Sequence, residues 1–107
     1  MKVQTNNELK CIIALACLHD VPDPEIGISV VDMGLIYQLD FEEDGKKIFG
    51  VMTLSTQFCP MGQSIVDGVR NNLASNFPGY DVQVNVTFDP PWSYEMISKE
   101  GHEFLNR

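Results

Sequence analysis

Met52-Thr53-Leu54-Ser55-Thr56-Gln57-Phe58-Cys59-Pro60-Met61 is the stretch on which the fold turns. Before it, Lys47 to Ser55 reads as a strand; after it, Met61, Ile65, Val69, Leu73 and Phe77 recur every four residues, with Val66 beside them, which predicts a helix over 60–77. Proline is favoured in the first turn of a helix, so Pro60 makes Cys59 the capping residue. Upstream, Leu35 to Glu42 reads as a second strand, and Asp44-Gly45 between the two strands is a hairpin signal that pairs them antiparallel. Downstream, Pro78-Gly79 stops the helix. Val82, Val84, Val86 and Phe88 then alternate with Gln83, Asn85, Thr87 and Asp89, a strand with one buried face. Strand, helix and strand in this order make a right-handed crossover, so the last strand runs parallel to the second.

The ends complete the order helix, hairpin, helix, strand, helix. Thr5 and Asn6 are candidate caps for a first helix, in which Leu9, Ile12, Ile13, Ala16 and Cys17 form one apolar face to about residue 19, with Cys11 off it. Pro22 and Pro24 end that helix, and the run to Met33 is irregular or a short strand. Asp89-Pro90-Pro91-Trp92 ends the sheet, and Tyr94 to Leu105 reads as a turn and a last helix. The fold class is a two-layer α/β (α+β) domain: a small mixed sheet of a β-hairpin plus one parallel strand, with helices mainly on one face. The expected organisation is a single domain over 1–107.

Composition narrows the function. The 107 residues are 44% hydrophobic and 21% charged, ordinary for a globular chain able to bury a core without disulfides. A net charge of −8 argues against a nucleic-acid backbone or an anionic membrane as partner. Three cysteines without a C-x-x-C are neither a disulfide framework nor a zinc ribbon and fit a reducing, cytoplasmic setting. Cys11 and Cys17 read as structural. His19 and His102 have no metal-ligand spacing to another His or Cys.

In parallel units, ligands bind beyond the carboxyl ends of the strands. Cys59 follows the end of the second strand, where a helix dipole favours the thiolate. Asp89 and Trp92 follow the end of the third. The start of the first strand brings Asp32, Met33 and Gly34 to the same edge, with Asp23 and Glu25 one loop away; Ser55 and Thr56 add hydroxyls. Each residue also has a plain structural account. Asp23 can initiate a turn, Asp32 can cap one, and Gly34 can supply positive φ. Asp89 can hold the proline turn, and Trp92 can pack at the edge.

Asp23-Pro24-Glu25, Val31-Asp32-Met33-Gly34-Leu35-Ile36-Tyr37, Met52 to Thr56 with Cys59-Pro60-Met61, and Asp89-Pro90-Pro91-Trp92 resemble, in order and spacing, the successive blocks of the MIP18 (DUF59) family. The resemblance covers nearly the whole chain. It implies a small α/β fold and a role in iron–sulfur protein maturation, and the chain is similar to the free-standing SufT-like members. It carries the family's motif onto Asp23, Glu25, Asp32, Gly34, Ser55, Thr56, Cys59, Pro60, Asp89 and Trp92. Ser55 stands where Thr is common, and Phe58 where Gly is common.

The resemblance implies an assembly or accessory factor rather than an enzyme. No cofactor is expected to be stably bound, since a cluster needs about four ligands and Cys59 supplies one. Cys59 is instead a transient ligand of iron or of a cluster, with Ser55 and Thr56 hydrogen-bonding its sulfur and Asp23, Glu25 and Asp32 shaping the pocket or meeting a basic client. The expected partners are assembly or client proteins, with a homodimer as one source of a second thiol. Two alternatives stay open: an accessory subunit of a phenylacetyl-CoA-type oxygenase, and a small thiol enzyme.

Overall fold

The computed structural model describes residues 3–24, 26–55 and 62–106. Its elements run β1 (Gln4–Thr5), α1 (Glu8–Leu18), β2 (Ile36–Glu42), β3 (Lys47–Met52), α2 (Gly62–Asn76), β4 (Asp81–Val86), a short 3-10 turn (Tyr94–Met96) and α3 (Lys99–Leu105). The strands form one mixed sheet in the order β1-β2-β3-β4. β2 and β3 are the antiparallel hairpin, and β4 joins β3 in parallel with Lys47 opposite Asp81 and Met52 opposite Val86. The sequence reading of a two-layer α/β fold therefore holds, with one added strand.

That strand is β1, parallel to β2, with Gln4 opposite Gln38 and Thr5 opposite Leu39. Two residues are too few to show a period. Asn6 continues its work with a side chain: its amide donates to the Phe41 carbonyl (3.1 Å) and accepts from the Phe41 N–H (2.9 Å), so the edge of β2 is closed.

One covered face of the sheet carries Leu39 and Phe41, then Ile48 and Met52, then Val82. α2 lays Ile65, Val66, Val69 and Leu73 into this core, as its four-residue period predicts. Phe77 closes the end, with its ring centroid 5.7 Å from Phe41 and 6.0 Å from Tyr80.

The expected face of α1 is corrected. Cys11, Ala14 and Leu18 are buried, whereas Leu9, Ile12 and Ile13 are exposed. Residues 11–18 hold no charged or amide side chain, so two apolar stripes compete at equal spacing. The stripe with Cys11 and Ala14 presents small side chains, which allows close approach to the sheet and to α2; the bulky stripe faces outward. The cap is also one residue later than expected: Asn7, whose side chain accepts from the Lys10 N–H at 3.1 Å. Among the described residues, no helix is long and apolar enough to cross a membrane.

Candidate functional site at the carboxyl edge of the sheet

The ladders run on past the strand ends. The Thr53 N–H donates to the Leu35 carbonyl and the Thr87 N–H to the Met52 carbonyl, both at 2.8 Å. The chain leaving β3 through buried Thr53 and half-buried Ser55 therefore emerges between the 32–37 turn and the 87–98 segment. Cys59 lies along this exit in sequence. Cys59, Pro60, Thr56 and Glu25 fall outside the described residues.

The turn on one side is built by its backbone. The Leu35 N–H reaches the Val30 carbonyl (3.1 Å) and the Gly34 N–H reaches that of Val31 (3.0 Å), with Gly34 at φ +75°. This is the Schellman pattern that ends a helical turn, and it requires the left-handed residue that glycine supplies. Gly34 has a second reason to be glycine. A Cβ there would overlap the Met96 carbonyl oxygen and lie 2.9 Å from its carbon.

Opposite the turn, the segment after β4 folds back along it in a run of fasteners. The Tyr37 hydroxyl donates to the Pro90 carbonyl at 2.8 Å, and the Trp92 indole N–H donates to the Met33 carbonyl at 2.6 Å. Met96 covers Gly34. The Ser98 N–H donates to the Asp32 carbonyl (2.7 Å), and its hydroxyl donates to Asp32 Oδ1 (2.8 Å). The same Ser98 oxygen caps α3 by accepting from the Gly101 N–H at 3.0 Å. Residues 90 to 98 thus form a strap over residues 37 to 32, running the opposite way.

Asp32 is the strap's chief anchor. Its other oxygen accepts from the Ser29 hydroxyl at 3.3 Å and lies 3.6 Å from His19 Nδ1. His19 Nδ1 is also 3.3 Å from Ser29 Oγ, so Ser29 and Asp32 share one ring nitrogen and do not form a relay through the imidazole. The β2–β3 register slips between Ile36 and Gln38, a bulge that re-aims Tyr37 toward Pro90. Burial pushes the Tyr37 phenol above its usual range, with the Thr53 hydroxyl pulling it back.

The remaining expected site residues separate. Asp23 is buried, its N–H on the Ile28 carbonyl (2.8 Å) and its own carbonyl accepting from Gly27 (2.7 Å). Asp32 and Gly34 line a groove of about 500 Å³ with Val3, Leu15, Met96 and Ser98. Asp89 is exposed and lines a different cavity of about 280 Å³ on the uncovered sheet face, with Tyr37, Gln38, Val51 and Thr87. The sequence reading passes over Ser29, Tyr37, Met96 and Ser98, all fasteners of the strap. A serine one residue before a short helix is the signal available for Ser98. Among the described residues, no group of three or more His, Cys, Asp or Glu side chains could hold a metal ion.

A crossover sheet whose β3 exit, leading in sequence to a cysteine, runs between a strapped Asp-x-Gly turn and the segment after β4 defines a class of small α/β domains. Residues 14–86 match the model of the iron–sulfur cluster assembly protein family, and the chain belongs to that family. It is 36% identical over 85 residues to the Fe-S protein maturation auxiliary factor YitW of Bacillus subtilis, covering 79% of this chain and 82% of that one. It is 39% identical over 79 residues to the Fe-S protein maturation auxiliary factor SufT of Staphylococcus aureus, covering 74% and 89%. The crystal structure of a DUF59 domain from Bacillus anthracis superposes with a TM-score of 0.86 at 34% identity, over 92% and 93% of the two chains.

Proposed function

We propose that this chain is an auxiliary factor for iron–sulfur protein maturation that works through the Cys59 thiol at the carboxyl edge of the sheet. The cluster, or its iron, is cargo. The observation that carries the reading is the family match, joined to an edge where the β3 exit runs between the turn and the strap. Cys59 would ligate the cargo transiently through its thiolate, the form a helix N-terminus favours. One thiolate completes no cluster, so the other ligands come from the donor or the client, and exchange between them is the transfer. Asp32 does not serve as a free ligand in this scheme, because Ser29 and Ser98 occupy both of its oxygens. Its contribution is to hold the strap beside the β3 exit that leads to Cys59. The partners are therefore cluster-donating and cluster-receiving proteins.

The test is complementation in a bacterium deleted for its own factor of this type. A [4Fe–4S] client enzyme is purified anaerobically, and its activity, iron and acid-labile sulfide are measured. Wild type restores all three, whereas Cys59→Ser leaves the client largely without cluster while its own unfolding midpoint stays within about 2 °C of wild type. A Cys59→Ser protein that restores the client fully would remove the thiol from the mechanism. Failure of the wild type itself would remove the maturation role.

A further inference from the structure

The two edges of the sheet are treated differently. The β2 edge is closed by β1 and by the Asn6 side chain on Phe41. β4 ends the strand order, and among the described residues nothing pairs with its outer side. A free edge six residues long, without proline or lysine, is a template for another strand.

We propose that the outer edge of β4 is a self-association surface, to which a second copy of this chain adds its own β4 antiparallel. The backbone of β4 fixes which groups are offered. The Asp81 and Thr87 N–H groups bond toward β3, so by alternation Val82, Val84 and Val86 aim their N–H and C=O outward. A two-fold axis through Val84 pairs these three residues with one another across the new ladder. It also sets Tyr80 opposite Phe88, Asp81 opposite Thr87, and Gln83 opposite Asn85.

Every one of those pairs is compatible. Aromatic meets aromatic, and Val86 and Phe88, each 40% exposed, gain cover. Amide meets amide at the closer, non-hydrogen-bonded positions. No carboxylate faces another, whereas moving the axis to Asn85 would oppose Asp81 to Asp89. The flank of α2 on this side is balanced as well. Gly68 and Asn72 face the α1 end, toward Val21 and the Cys17 carbonyl, leaving Gln63, Asp67 and Arg70 on the β4 side, where Asp67 and Arg70 already form an ion pair. This flank of α2 therefore adds no net charge to the edge, and the carboxylates of the strand itself, Asp81 and Asp89, are kept apart from one another by the register.

The arrangement has a consequence for chemistry. Antiparallel strands send the carboxyl ends of the two β4 strands, and with them the carboxyl edges of the two sheets, to opposite ends of the β4 pair, roughly 20 Å apart for a six-residue strand. A dimer of this form keeps its two carboxyl edges separate. This inference is independent of the maturation reading and can fail without it.

Sedimentation equilibrium across a concentration series tests it. An edge interface is small, so wild type is expected to show a reversible monomer–dimer equilibrium in the micromolar range, tightening as salt screens the like charges. Val84→Pro removes an outward N–H and leaves the β3 ladder intact; the two-fold doubles the loss, weakening association roughly thirtyfold or more. A charge pair then reads the register. The double substitution Q83K/N85K sets like charges opposite and abolishes the dimer, whereas Q83K/N85E sets opposite charges and keeps it. Because both doubles alter the same two surface positions, misfolding does not explain a difference between them. A wild type that is monomeric at millimolar concentration overturns the proposal, even if it takes up an extended client peptide at β4. So does a dimer indifferent to these variants, or one broken instead by Ile12→Lys on the exposed α1 stripe.

Discussion

At the scale of single residues, the family motif and the strap share three members. Asp32, Gly34 and Trp92 stand out in the sequence by position at an edge and by resemblance. In the structure each is a fastener: a carboxylate holding Ser98, a left-handed turn residue beneath Met96, and an indole bonded to the Met33 carbonyl. Gly34→Ala is strained by φ +75° and by overlap with the Met96 carbonyl, so it should cost more than about 1 kcal/mol and lift the strap. Asp32→Ala frees the Ser29 and Ser98 hydroxyls and should cost about 1–3 kcal/mol. In both variants, amide hydrogen exchange is expected to accelerate across 94–105 before it accelerates in β2 and β3. Equal acceleration in the central strands would mean that these residues hold the whole fold rather than the strap.

Element by element, the sequence is readable where one period has no rival. α2 repeats every four residues next to a proline and emerges with the right buried face, whereas the alternation of β4 is borne out at Val82, which is buried, and half at Val84, while Val86 and Phe88 of the same face are exposed where the strand runs to the open edge. α1 carries two apolar stripes at the same spacing, and periodicity cannot choose between them; side-chain size at the packed face does. β1 escapes a sequence reading because two residues give no pattern, and its pairing is decided by a distant strand. The strap escapes it for a related reason, since its bonds span some 53 to 66 residues and end mostly on backbone carbonyls, which sequence does not display. The Cys59 stretch is read in the sequence from its junction between strand and helix, and it lies outside the described residues. The corrected α1 face makes its own prediction. Leu18→Ala should cost about 2–5 kcal/mol, whereas Ile12→Ala should change stability by less than about 0.5 kcal/mol. Denaturant melts that ranked the two the other way round would restore the expected face.

For the molecule as a whole, charge sets the dependence on salt. A net −8 confined within a radius of gyration of 13.2 Å repels itself by an amount on the order of a few kcal/mol before screening, and the unfolded chain relieves most of it. Salt should therefore stabilise the fold. Opposing this is the exposed Lys10–Glu43 pair, which salt weakens. The Lys10 ammonium is held above its ordinary 10.5 first by its hydrogen bond to Glu43 and then by Tyr80, and the Glu43 carboxyl is held below its ordinary 4.5 by Lys10. A raised lysine contributes fully below 10.5 and loses its contribution as pH climbs through the folded value. A lowered carboxylate contributes fully above 4.5 and loses it as pH falls through the folded value. The pair is thus fully formed at pH 7, and as a single solvent-exposed contact it is outweighed by the repulsion. The unfolding midpoint is expected to rise by a few degrees between 20 and 300 mM NaCl (roughly 1 kcal/mol of relief). Calorimetry on Val84→Pro keeps self-association out of the result. A midpoint that falls with salt would mean that local ion pairs, not net charge, govern this fold, and the Lys10→Met variant would then lose the effect.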